Sequence, residues 1–348
     1  MSRLAPAQRL MRSSMPFSKL KAATCSKVVT PISYSRNIST TGPALSSSST
    51  SLEKWIQAVQ SQTKTLHDTA DLNKARQLLL VLPNLSSSLV TSSRNLLEKH
   101  TGEDAMSLSP GSPMPFGAEL VLFNPLLSEC TLGSDGTERT FGPPGGLDQR
   151  MWASGSFEFE KGKRLKMGQD VTCKVAVESV QPKEGAKTGK MVLVTRKLRY
   201  ENDEGLVMTE RRCHVYRKQK PAEERRYRAP VASNAPKASE VEEKHSDFGF
   251  DYYATRAALF RYSAATFNAH RIHLDPEYCR NEEGHSASAS KEISGQVHKF
   301  EYRATSPLTV EQTIRLRGAW EGTDKKAASL FVLNEAGTVC MTAKVTVV

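Results

Sequence analysis

The 348-residue chain has no C-x-x-C pair, and its six cysteines (25, 130, 173, 213, 279 and 340) are scattered. That pattern excludes a zinc ribbon or a disulfide framework and points to a reducing compartment. Long apolar runs are missing too. The longest, Leu78–Leu82, is five residues, against roughly 20 for a membrane helix, so no span is expected. Acidic residues are absent from the first 52 positions, which carry seven basic ones: Arg3, Arg9, Arg12, Lys19, Lys21, Lys27 and Arg36. Without those seven the formal net charge falls from +11 to +4. The remainder shows no basic stripe interleaved with aromatics, which argues against nucleic acid as a partner.

An acid-free leader rich in Arg, Lys, Ser and Thr has the composition of a mitochondrial transit peptide. Arg36-Asn-Ile-Ser39 resembles a matrix-processing site. Residues 1–50 are therefore expected to be a transit peptide or a disordered tail, and the protein to reside in the mitochondrial matrix. Helical spacing follows. Leu52, Trp55, Ile56 and Val59 share one face, with Ser51 as a possible cap, and Leu72–Leu82 forms a second pattern ended by Pro83. Residues 51–100 thus read as a helical segment, and Ala118–Phe123 as the start of a β-rich region.

That region repeats. Phe157-Glu-Phe-Glu160 matches Phe300-Glu-Tyr-Arg303 at an offset of 143, which also relates Leu165 to Leu308, Gln169 to Gln312 and Val171 to Ile314. Asn202-Asp-Glu-Gly205 matches Asn334-Glu-Ala-Gly337 at an offset of 132. A shorter loop in the second copy, opposite Gln181–Lys190, accounts for the difference. Each copy reads as a strand, two long strands, a Gly turn and a strand, which indicates duplication. The expected halves are 114–216 and 248–348. Between them, 217–247 is Pro-, Glu-, Lys- and Arg-rich and reads as a solvated linker. Its run Arg225-Arg-Tyr-Arg228 suits either a charged tether or a phosphate dock.

Chemistry concentrates in Tyr262–Arg280, where Asn268, His270, Arg271, His273 and Asp275 fall within eight residues. Asp275-Pro276 reads as an N-cap followed by proline at the first helical position, placing the cluster on the loop entering a helix. The plain alternative is a polar loop whose histidines bond locally. His270, His273 and Asp275 are all potential metal ligands. A His-x-x-His on a loop, however, lacks the i,i+4 geometry of zinc hydrolases, so no metal and no cofactor are expected.

Thr266-Phe-Asn-Ala-His-Arg-Ile-His-Leu-Asp275 resembles the active-site segment of MaoC-like hot-dog hydratases and dehydratases. It is most similar to the mitochondrial 3-hydroxyacyl-thioester dehydratases and the mesaconyl-CoA hydratases. The resemblance runs from about Trp55 to Val348. It implies an α+β tandem (double) hot-dog fold with antiparallel sheets. It also implies reversible hydration of trans-2-enoyl thioesters carried by coenzyme A or acyl carrier protein, in mitochondrial type II fatty acid synthesis. His273 falls on the family's catalytic histidine, and Asn268 where many members have aspartate. His270 and Arg271 are the substrate-binding candidates that the match leaves.

One part of that family pattern is missing. Hot-dog enzymes lay a long apolar helix across the sheet, but only twelve residues, His285–Gln296, separate the loop helix from the strand at Val297. They contain one large aliphatic residue, so the central helix of the second half is expected to be absent. That leaves two alternatives to the dehydratase: a non-catalytic acyl-thioester-binding accessory protein, or a short-chain C4 acyl-CoA hydratase. A homodimer is left open.

Overall fold

The computed structural model describes residues 51–82, 103–185, 189–218, 246–279 and 297–347. The expected transit peptide, the run Arg225–Arg228, residues 219–245 of the linker and the segment 280–296 lie outside them. Helix α1 (Ser51–Gln60) buries Val59, with Leu52, Trp55 and Ile56 partly covered. Strand β1 (Thr63–Thr69) and helix α2 (Leu72–Leu79) follow. The Asp71 side chain caps α2 by accepting the Lys74 N–H at 2.7 Å. The expectation of a helical segment over 51–100 therefore needs correction at β1, and 83–100 lies outside the described residues. β1 reads Thr-Lys-Thr-Leu-His-Asp-Thr, with a single large aliphatic side chain, so it shows no apolar alternation. It is specified instead by pairing along β3, from Thr63 opposite Ala176 to Thr69 opposite Asp170.

A short helix, α3 (Glu103–Ser107), leads into a long loop. Here too the expectation is corrected: Ala118–Val121 is a 3-10 turn, and the next strand begins only at Gln149. Gly117, at φ 89°, starts the turn, and its N–H donates to Glu119 Oε2 at 2.7 Å, a local bond that competes with strand pairing. Then come β2 (Gln149–Phe159), β3 (Asp170–Gly185), β4 (Gly189–Asn202) and β5 (Gly205–Arg217). The second half contains β6 (Phe248–Ala254), α4 (Arg256–Ala265), the one-turn helices α5 (Arg271–Leu274) and α6 (Pro276–Tyr278), β7 (Val297–Ala304), β8 (Gln312–Glu321), β9 (Ala327–Leu333) and β10 (Val339–Val347).

The ten strands among the described residues form one antiparallel sheet in the order β1-β3-β4-β5-β2-β7-β10-β9-β8-β6. Read outward from its centre, each half repeats the same five-strand order. The centre is the β2–β7 pairing, where Phe157 lies opposite Phe300. These are the two residues that the 143-residue offset equates, so the duplication axis passes between them. Phe116 meets Phe157, Phe159 and Phe300 edge-on, with centroids 5.6, 6.1 and 5.5 Å away. The two matched turns also share chemistry: Asn202 Oδ1 accepts the Glu204 N–H, and Asn334 Oδ1 the Thr338 N–H.

The apolar face of the sheet is best filled over the first half, where α1, α2 and the 114–141 loop cover Phe159, Leu165, Val175, Leu198, Tyr200 and Met208. A second, smaller cluster lies over β8 and β9, around Ile314, Leu316 and Val332. Among the described residues no helix is long and apolar enough to cross a membrane.

Candidate functional site

The polar segment is set up by the end of α4. Thr255 caps the start of that helix, and Thr266 ends it, its hydroxyl donating to Tyr262 C=O at 2.9 Å. Phe267 N–H donates to Ala264 C=O at 3.1 Å, and Asn268 N–H to Ser263 C=O at 2.8 Å. This is the paired bonding of a Schellman stop. The residue in its left-handed position is Phe267, at φ 51°, where glycine is usual. A non-glycine residue there is strained by about 1–2 kcal/mol, and the ring is left 57% exposed.

Asn268 then turns the chain again, its Oδ1 accepting the His270 N–H at 3.1 Å. His270 precedes α5, and its carbonyl accepts the His273 N–H at 2.9 Å. The two imidazole rings lie 5.8 Å apart and nearly perpendicular. Asp275 caps α6 as expected from its sequence, Oδ1 accepting the N–H groups of Glu277 at 3.0 Å and Tyr278 at 2.9 Å. Its Oδ2 accepts from the Arg271 guanidinium at 2.7 Å. The Tyr278 N–H and then Arg271 hold the Asp275 carboxyl below its ordinary range. Arg271 also lies over the Tyr278 ring at 4.4 Å. Its guanidinium is thus engaged away from the two histidines.

Sequence reasoning missed the first half's contribution. The turn Gly133-Ser-Asp-Gly-Thr137 presses on the segment from β2's side of the chain. Asp135 C=O accepts the Arg271 N–H at 2.9 Å. Gly136 has φ +80°, and a Cβ there would sit 2.1 Å from Ala269 O, so only glycine permits this approach. The Asp135 carboxylate is 4% exposed and His270 is 7% exposed. Oδ1 accepts from Thr137 N–H at 3.0 Å and Thr137 Oγ1 at 2.8 Å. Oδ2 lies 3.9 Å from His270 Nε2. The one available signal was Gly-Ser-Asp-Gly, which reads equally well as an ordinary turn.

β2 and β5 supply Arg150 and His214, which act electrostatically with His270, and Trp152 and Tyr216, whose rings meet His214. The Trp152 ring lies 5.1 Å from His214 and is 41% exposed, unusual for a tryptophan near the middle of a sheet. Burial pushes the His270 imidazole down to about 3; the charge of Arg150 adds to this, Asp135 opposes it and His273 lowers it further. Burial also drives His214 well below its ordinary range, with Arg150, Arg196, Arg212 and His270 reinforcing. Both rings are therefore neutral near pH 7. Arg212, by contrast, is neutralised by Glu210, which also accepts the Tyr200 hydroxyl at 2.7 Å. Among the described residues no three His, Cys, Asp or Glu side chains converge on a potential metal position.

A family model for hydroxyacyl-thioester dehydratase type 2 matches residues 117–288, a range that contains both the 133–137 turn and the polar segment. Mesaconyl-C(4)-CoA hydratase of Chloroflexus aurantiacus is 32% identical over 176 residues, covering 50% of this chain and 58% of that protein. The chain thus matches less than two thirds of that relative's length. The mitochondrial hydroxyacyl-thioester dehydratase type 2 of Schizosaccharomyces pombe is 25% identical over 240 residues, 58% of this chain and 76% of that one. Among solved structures, a MaoC-like dehydratase from Phytophthora capsici superposes with TM-score 0.52 at 13% identity, over 85% of this chain and 98% of that one. HtdX of Mycobacterium tuberculosis gives 0.54 at 14%, over 82% and 100%. At such identities the structural matches establish the fold alone.

Proposed function

We propose that this chain, which a family model for hydroxyacyl-thioester dehydratase type 2 matches over residues 117–288, interconverts 3-hydroxyacyl and trans-2-enoyl thioesters. The observation that carries the reading is how the two matched site residues divide the chemistry. Asn268 has its oxygen committed to the His270 N–H, so it offers only N–H donors. An amide cannot take up and return a proton, but it can hold the C3 hydroxyl oxygen. His273, one turn on, is the imidazole of the pair, and imidazole is the side chain whose ordinary pKa suits a proton shuttle.

Dehydration then proceeds on one face. The His273 imidazole takes the C2 proton, the C2=C3 double bond forms, and the C3 hydroxyl leaves with that proton as water. Hydration is the reverse. His270, neutral and buried, orients the segment. Arg271 would reach substrate only by leaving Asp275.

The acyl carrier is read as coenzyme A or acyl carrier protein, and the setting as type II fatty acid synthesis in the mitochondrial matrix. The acid-free leader and the mitochondrial relative support that setting. A short-chain C4 acyl-CoA is the second reading. It is favoured by the Chloroflexus relative and by Arg150, whose charge reaches both His270 and His214 and would suit an acyl group bearing its own carboxylate. The test is hydration of trans-2-enoyl-CoA by the full chain. His273→Ala should lower the rate about 10²-fold or more, the scale of a positioned acid–base group. An undiminished rate in His273→Ala rejects the mechanism. A silent wild-type chain would favour the accessory-protein reading.

A further inference from the structure

We propose that Asp135, carried by the first half, is a positioning residue of the site in the second half: it fixes His270 as the Nε2–H tautomer and supplies the negative charge that Asn268 cannot. The inference rests on the hydratase reading above, and deepens it.

Three observations carry it. The Asp135 side chain is buried, and its Oδ1 is saturated by the N–H and hydroxyl of Thr137. Its Oδ2 is buried, has no hydrogen-bond partner among the described residues, and stands 3.9 Å from His270 Nε2. The spacing is not accidental slack in a loop. The Asp135 carbonyl binds the Arg271 N–H, and Gly136 packs directly on Ala269, so the turn and the segment are locked in register.

A buried carboxylate oxygen without a donor is costly. The ionisable group on the facing segment that stands opposite Oδ2 is the His270 imidazole. A neutral imidazole has one N–H, and attraction to the carboxylate places it on Nε2. Nδ1 is then left as the acceptor. The segment itself offers an amide at Asn268, and the carboxylate beside it comes from the other half. Contacts within hydrogen-bonded networks of this kind often tighten when substrate binds.

Long-range 1H–15N correlation on the full-length protein at pH 7 reads the tautomer, with His270→Gln assigning the signals. The wild type should show a single Nε2-protonated form, and Asp135→Asn, which keeps an Oδ1 acceptor for Thr137, a mixture or the Nδ1–H form. In hydration assays Asp135→Asn should lose about tenfold or more in kcat with KM within about twofold, as for other orienting partners. Thr137→Val, which retains the carboxylate, should keep the single tautomer, so the idea stays testable should Asp135→Asn fail to fold. A wild-type Nδ1–H ring, an unchanged ring in Asp135→Asn, or a mixed ring in Thr137→Val overturns the proposal. Absence of any hydration by the wild type would instead strike the hydratase reading, and the tautomer would still decide this one.

Discussion

The two halves of the sheet share a strand order but not a task. The first has the deeper core and buries a charged group, Glu210 with Arg212 and Tyr200, inside it. The second has the thinner core and carries the segment with Asn268, His270 and His273. Duplication therefore supplied two equivalent frames that were then specialised. One is the platform and the other carries the candidate site, while the Asp135 turn packs against that site. Buried ion pairs add little net stability but are severely damaging when one partner is removed, which suits a platform better than a working surface.

The sharpest way to break this arrangement is at the tie itself. Gly136→Ala places a Cβ against Ala269 O, where the separation would be 2.1 Å. Neither backbone can yield without moving the segment, and the left-handed φ adds its own strain. Hydration should fall more than about 10²-fold, because small displacements of positioned groups are that costly. A Gly136→Ala protein with full activity would mean that the halves do not share the site.

The comparison is sharpened by pH, because the two halves hold groups that titrate in opposite senses. His270, in the second half, is pushed from 6.5 to about 3. Its contribution is complete above pH 6.5 and is lost as pH falls toward 3. Glu119, in the first half, is pushed from 4.5 to about 7, chiefly by burial. Its contribution is complete below pH 4.5 and is lost as pH rises through 7. Each is worth about 1–2 kcal/mol between pH 7.5 and 5.5. In urea unfolding at these two pH values, His270→Gln should make acidification less destabilising than in wild type. Glu119→Gln should do the reverse. Parallel slopes in all three proteins would refute the assignment. A smaller effect is expected at Phe267. Phe267→Gly relieves the left-handed strain at the α4 stop and should raise stability by up to about 1 kcal/mol, read as a higher urea midpoint.

Much of this was legible before the structure, and the pattern of what was not is physical. The duplication could be read because Phe157 and Phe300 are large buried residues at the centre, where packing restricts substitution. The Asp275-Pro276 cap could be read because its signal is local. β1 could not, since the two-residue apolar alternation of a strand is absent and only pairing with β3 defines it. Ala118–Phe123 looked like the start of a β-rich region because Leu120–Phe123 is an apolar run, whereas the bond from Gly117 to Glu119 bends it. Asp135 was hidden for a different reason. It meets His270 across more than a hundred residues of sequence, and a Ser-Asp-Gly turn gives no hint of which distant element it will face. The Schellman stop at Phe267 carried no glycine to announce it.

The central claim is that His273 moves the C2 proton of an acyl thioester. The most direct measurement incubates the full-length protein with 3-hydroxybutyryl-CoA in deuterium oxide and follows deuterium at C2 by mass spectrometry. Reversible dehydration through His273 predicts steady incorporation by the wild type, with His273→Ala slower by about 10²-fold or more. Incorporation by His273→Ala at the wild-type rate would contradict the account.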